Sequence, residues 1–455
     1  MVRSLVFFSI ILGLVMICFS KLLSRSLGLV ISLLIYVLTV FVWVNFKSSL
    51  VLVDVVGGVP YVVDSVSVYF VLLTGFLAPL CVVSVWRHSD AVRYSGFICL
   101  LVGIVLGVFT VSNLFYFYVF FESALIPIYL MLGYYGSRER KMRAGYYLFM
   151  FTLGGSLFML VGVLLVYSEL GSFDYGYLRS VGISRDLESL VWLLFLAGFI
   201  VKIPLLPFHI WLAEAHVEAS TEGSVLLAGV LLKLGSYGYL RYNVDLMPYS
   251  AGYYSPVVYL FGSLSLLYSS LSCIRQTDVK RVIAYGSVGH MALIIIGLNS
   301  LLDLGYSGGI VQMVAHGIVS GGLFFCIGFI YSRAKSREIH YLSGLGRTMP
   351  MFGVLFFILI LGNFGFPGTF GFIGEFYLLT SIVLVNPFVG VVCGFGMLLA
   401  GGYSLYLFNR LAFGSISPYS TSFSDLDLRE ISIIVPIVFI TVALGLDGVF
   451  IVDSI

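Results

Sequence analysis

The sequence predicts an all-α polytopic membrane protein of about fourteen transmembrane helices, built on two inverted five-helix repeats with helices 7 and 12 broken. Three observations carry this. Of 455 residues, 60% are hydrophobic and only 10% charged, and mean hydropathy is +1.08, whereas a soluble domain carries about 25% charged residues. The apolar residues fall into runs of about the twenty that a crossing needs. Two of those runs are interrupted by proline and glycine.

The runs lie near 4–20, 27–44, 62–86, 95–111, 112–133, 143–167, 189–212, 224–242, 255–273, 280–298, 308–331, 349–386, 388–410 and 430–448. The first opens on a single Arg and continues directly into further spans with no small-residue cleavage site, so it reads as a helix rather than a signal peptide. The seventh holds Pro204 and Pro207, and the twelfth holds Gly362, Pro367 and Gly368. Each should break its helix, because proline lacks the backbone donor. Broken helices at corresponding positions of two halves point to a transporter with its site at the breaks. The expected organisation is therefore 1–94 for helices 1–3, 95–242 for a first repeat (helices 4–8), 243–410 for a second, inverted repeat (helices 9–13), and 411–455 for a loop and helix 14.

Charge sets the orientation. The connections after odd-numbered runs hold 17 of the 24 Lys and Arg, so those connections face inside and both termini outside. Cys18, Cys81, Cys99, Cys273, Cys326 and Cys393 include no CxxC pair, which argues against zinc and iron–sulfur sites in this chain and for small apolar packing residues. No Walker A, dinucleotide-binding or nucleophile-elbow motif is present in a supporting context.

Four charges stand inside apolar runs: Glu122, Lys202, Lys233 and Glu375. Each costs roughly 2.5–3.5 kcal/mol at the bilayer centre on insertion scales. A static Glu122–Lys202 pair is one reading, but such a pair stabilises little relative to apolar residues, and it leaves two charges over. The other reading is a proton relay of coupled groups, each costly to keep charged. His209, His216, His290 and His316 extend it, as relay members or as hydrogen-bonded core residues. His209 and His216 share a helix face if the backbone continues past Pro207. His88 and His340 lie in basic loops. Ser123, Ser220, Thr221, Ser224, Ser236, Tyr237, Ser287 and Thr369 offer polar atoms near the breaks.

Several stretches resemble a known family. FFESALIPIYLMLGYYGSRERKMRAGYYLFMFTLGGSLFML, VKIPLLPFHIWLAEAHVEASTEGSVLLAGVLLKLGSYGYLR, SSLSCIRQTDVKRVIAYGSVGHMALIIIG, MVAHGIVSGGLFFCIGFIYSR and NFGFPGTFGFIGEF are similar to successive helices of the NADH dehydrogenase (ubiquinone) subunit 4 family. These are the antiporter-like membrane-arm chains of respiratory complex I. The similarity runs from about residue 95 to 410. By position, Glu122, Lys202, Lys233 and Glu375 match the family's relay residues, and the four histidines match those near its channel. Glutamate rather than lysine at 375 favours subunit 4 over its relatives. Ala213 and Ser220 stand where the family has proline, and Glu222 is an addition.

The resemblance implies proton pumping driven by NADH-to-ubiquinone electron transfer elsewhere in a complex. Switching of the Glu122–Lys202 pair would bias Lys233, which would exchange its proton with Glu375. NADH, FMN, iron–sulfur clusters and ubiquinone would sit in other subunits, with no cofactor here. The implied partners are the other membrane-arm subunits, neighbouring antiporter-like chains among them, together with lipids and protons; nucleic acid is not among them. The implied location is the mitochondrial inner membrane, or alternatively a bacterial plasma membrane. The rival readings are a subunit of a multisubunit cation/proton antiporter or membrane-bound hydrogenase, and a scaffold that keeps the fold without pumping.

Overall fold

The computed structural model describes residues 2–46, 52–56, 59–136, 138–417 and 423–448. Each expected run falls on helix. Among the described residues, eleven helices are long and apolar enough to cross a membrane, against the fourteen expected. The shortfall has physical causes. Val2–Cys18 is 17 residues long. Arg185–Lys202 carries Arg185, Asp186, Glu188 and Lys202. The twelfth run is divided into Pro350–Asn363 and Phe370–Val385.

The breaks lie where the prolines placed them. The seventh run leaves helix at Ile203 and resumes at Ile210–Glu218, with a cis Leu206–Pro207 peptide between. The twelfth opens at Phe364–Thr369, where Gly365 (φ 64°) and Gly368 (φ 91°) take left-handed conformations that glycine adopts without steric cost.

Helix starts are chemically marked. Asn113 accepts from the Phe115 and Tyr116 N–H groups, Asp278 from Lys280, and Asn386 from Phe388 and Val389. Asp427 and Glu430 form a reciprocal capping box. Each satisfies donors that a helix N-terminus otherwise leaves open.

One element departs from the all-α expectation. Leu52–Val56 and Val59–Val63 pair as an antiparallel hairpin, in a stretch rich in the β-branched valine that strands favour.

The chain forms two compact units. The first runs through Ile203 and returns over Glu218–Tyr254; the second comprises Pro204–Val217 and the described residues from Ser255 to Gly448. In the first, Val2–Cys18 packs on Ala91–Thr110 so closely that a Cβ on Gly13 would stand 2.6 Å from the Leu100 nitrogen; small residues permit such contact between membrane helices. Its central helix, Thr221–Asp245, is enclosed on every side. In the second unit, the middle of Asp303–Ala334 is almost wholly buried. Outer helices instead show apolar faces, for example Phe388, Val391, Phe395 and Leu398.

Candidate functional site

Glu122, Lys202 and Lys233 lie in the first unit, and His209, His216, His290, His316 and Glu375 in the second.

In the first unit, Lys202 ends the helix Arg185–Lys202, where Pro204 halts the backbone. Only 3% of it is exposed. Its ammonium donates to the Phe121 carbonyl (2.9 Å) and stands 3.8 Å from the centre of the Phe121 ring. Both contacts compensate a desolvated cation. Among the described residues no Glu122–Lys202 ion pair within 4 Å is formed. The Glu122 carboxylate oxygens are buried and accept no hydrogen bond within the protein. Glu122 follows Phe121 on the same helix, Leu114–Ser123. The static pair is thus not the arrangement seen.

Lys233 is fully enclosed and donates to the Ala228 carbonyl at 2.5 Å. The backbone around it is unusual. Leu227–Leu231 and Tyr239–Asp245 are π-helical, flanking the short α-segment Leu232–Gly238. Such segments are frequent at functional sites. Gly235 brings this helix onto Lys202: a Cβ there would stand 3.2 Å from the Lys202 Cβ.

The departures at Ser220 and Glu222 have a structural use. Ser220 caps Thr221–Leu226 and pairs with the Tyr94 hydroxyl. The half-buried Glu222 carboxylate accepts from Ser84 (2.8 Å) and Tyr94 (3.1 Å). At the other end of the same helix Arg241 pairs with Asp64.

In the second unit, Glu375 is buried and meets two partners. His290 Nδ1 lies 3.3 Å from its Oε1, and Gln312 Nε2 donates to the same oxygen at 3.3 Å. The His316 ring lies 5.3 Å from the His290 ring, centre to centre. Gly365 and Gly374 make the room: a Cβ on Gly365 would fall inside the Glu375 carboxylate, and one on Gly374 would stand 2.6 Å from Gln312 Oε1.

The shared helix face expected for His209 and His216 does not exist. The turns from Ile203 to His209 leave His209 ahead of the helix, against Tyr268 and Tyr285, while His216 in its last turns stacks on Phe324. Both rings are buried. Lys280, one of the 17 basic residues counted with the connections, is buried in the first turn of Val279–Leu298. Arg337, another of the 17, is buried against the Val217 carbonyl and Asp278. Gln312 was not anticipated, because a single amide in an apolar run gives no spacing signal. Among the described residues no group of three or more His, Cys, Asp and Glu converges as a metal site requires.

Each unit thus encloses ionisable groups of its own, Glu122, Lys202 and Lys233 in the first and Glu375, His290 and His316 in the second. Residues 111–400 match the family described as NADH:quinone oxidoreductase/Mrp antiporter, TM. The NADH-ubiquinone oxidoreductase chain 4 of Marchantia polymorpha is 40% identical over 438 residues, 93% of this chain and 88% of that protein. The chain 4 of Acanthamoeba castellanii is 44% identical over 396 residues, 86% of this chain and 80% of that one. Among solved structures, a chain of respiratory complex I from Thermus thermophilus superposes with a TM-score of 0.92 at 28% identity, covering 100% of this chain and 97% of that one. A chain of the Mrp complex from Dietzia superposes at 0.90 with 20% identity, covering 100% and 96%, a likeness of fold alone. The chain belongs to the NADH-ubiquinone oxidoreductase chain 4 family of multi-pass membrane proteins.

Proposed function

We propose that this chain is a proton-translocating membrane subunit of NADH:ubiquinone oxidoreductase, respiratory complex I, in the mitochondrial inner membrane. The observation that carries the reading is Lys233: a wholly enclosed lysine with a backbone carbonyl at its ammonium, on a helix pressed onto a second buried lysine.

Lys202 has two places to rest. It now sits on the Phe121 carbonyl and ring, beside a Glu122 carboxylate that accepts no hydrogen bond. Swinging toward Glu122 would form an ion pair and remove the repulsion that Lys202 exerts on a proton held at Lys233. Swinging back would restore that repulsion and expel the proton. In the second unit, Glu375 with His290 and Gln312 forms its own proton-holding cluster, with His316 beside it. His209 and His216 would serve this unit as relay members. The oxidation of NADH and the reduction of ubiquinone, with FMN and iron–sulfur clusters, belong to other subunits. Other membrane-arm chains, neighbouring antiporter-like ones included, would cover the apolar outer faces. Fourteen crossings, and inverted repeats over 95–242 and 243–410, complete the proposal.

Immunocapture of this chain from detergent-solubilised membranes tests the assignment. NADH:ubiquinone reductase activity should be captured in proportion to the chain. Cation/proton exchange in the captured material, without NADH oxidation, would overturn it.

A further inference from the structure

The helix Thr221–Asp245 carries Lys233, Tyr237 and Arg241 at intervals of four residues, stacked along its length. Arg241 is therefore about 12 Å along the axis from Lys233. Its guanidinium pairs with Asp64, and its Nε donates to the Tyr237 hydroxyl at 3.3 Å. That hydroxyl in turn donates to the Phe109 carbonyl at 3.2 Å. Asp64 is fixed from its other side by the Ser67 N–H at 2.9 Å. Around the pair lies a cavity of about 40 Å3 lined by Asp64, Ser112, Tyr175, Tyr237 and Arg241, room for roughly one or two water molecules. Nearby, Arg179 pairs with Asp245 at 3.0 Å, and Tyr175, whose ring lies 5.6 Å from the Arg241 guanidinium, donates to Asp245.

This end of the first unit is opposite the basic connections around Arg87 and Arg140. The Lys233 ammonium rests on the Ala228 carbonyl, toward the other end of the helix; were it to turn the opposite way, the Tyr237 hydroxyl and water in the cavity would lie on its route outward. What stands in that route is an arginine. Its guanidinium stays charged at every relevant pH, so it cannot accept a proton and pass it on as a lysine or histidine would. A fixed positive charge in a narrow polar passage repels protons and cations.

We propose that the Asp64–Arg241 pair is a cationic seal closing the outer end of the first unit, with Arg241 as the barrier and Asp64 as its anchor. The seal keeps the proton on Lys233 from escaping along its own helix. This rests on the reading of Lys233 as a proton-exchanging group, and the test separates the two.

The intact complex is reconstituted in liposomes without NADH, and proton leak under an imposed pH gradient is followed with a trapped dye. Removing one unit charge about 12 Å away, at an effective dielectric of about 20, changes proton occupancy by about tenfold. Arg241→Gln is expected to leak about tenfold faster than wild type on that basis. Asp64→Asn, which keeps the cation, is expected to stay tight. Adding Lys233→Met to Arg241→Gln should abolish the leak. Should Arg241→Gln fail to assemble, the exchange Asp64→Arg with Arg241→Asp keeps the pair and is expected to leak, because the carboxylate then faces Lys233. A tight Arg241→Gln complex, an equal leak in Asp64→Asn, or a leak that survives Lys233→Met overturns the seal. Protons pumped per NADH by Lys233→Met alone report on the relay reading independently.

Discussion

Glu375 illustrates how single residues make this chemistry affordable inside a membrane. Its carboxylate has space only because residue 365 lacks a side chain, and residue 365 is glycine at φ 64°. Gly365→Ala should therefore act twice, through the left-handed backbone and through the clash with Glu375. A non-glycine residue held in that region costs about 1–3 kcal/mol. A lowered melting temperature of the solubilised complex, with reduced pumping, is the expected result; an unchanged melt would show that the carboxylate can move aside. At Asp64, burial pushes the carboxyl up, but the Arg241 guanidinium and the Ser67 contacts more than offset this and leave it below its usual value. A depressed carboxyl contributes stability above its unfolded value of about 3.9 and loses it as pH falls through the folded value. The melting difference between wild type and Asp64→Asn should therefore be flat from about pH 5 to 8 and shrink below about pH 4. A difference that shrinks near neutral pH would contradict this.

At the scale of elements, the two broken helices were legible because proline and glycine act on the backbone directly, whatever surrounds them. The π-helical segments beside Lys233 were not, since a change of hydrogen-bond register leaves no mark in residue type. The strand pair Leu52–Val56 and Val59–Val63 was not legible in an apolar composition that suits strand and helix alike. The shared face of His209 and His216 depended on a helix that continues past Pro207, and the turns between Ile203 and His209 remove that condition. The π-segment Leu227–Leu231 sets the angular relation between Glu222, held by Ser84 and Tyr94, and Lys233. Deleting Gly229 would return this stretch toward α-helix with its two ends nearly in register, and would remove the π-helical carbonyl geometry at Ala228 that receives the Lys233 ammonium. Pumping should then be lost although no ionisable group is removed. Wild-type pumping in that variant would show that the register does not matter.

For the whole molecule, the four charges Glu122, Lys202, Lys233 and Glu375 stood out in the sequence because charge is costly in an apolar run. Their local partners were not legible: the Phe121 carbonyl at Lys202 and Gln312 at Glu375 come from distant parts of the chain. Each compact unit encloses its own ionisable cluster, and the outer helices present apolar side chains such as Phe388 and Leu398. The proton-translocating subunit proposed above needs those properties. The central claim is that the enclosed lysine of the first unit carries the proton. Protons pumped per NADH oxidised, measured in sealed vesicles for Lys233→Met against wild type, test it most directly. The account predicts lost or lowered pumping in a complex that still assembles; undiminished pumping with full assembly would contradict it and leave this chain a scaffold.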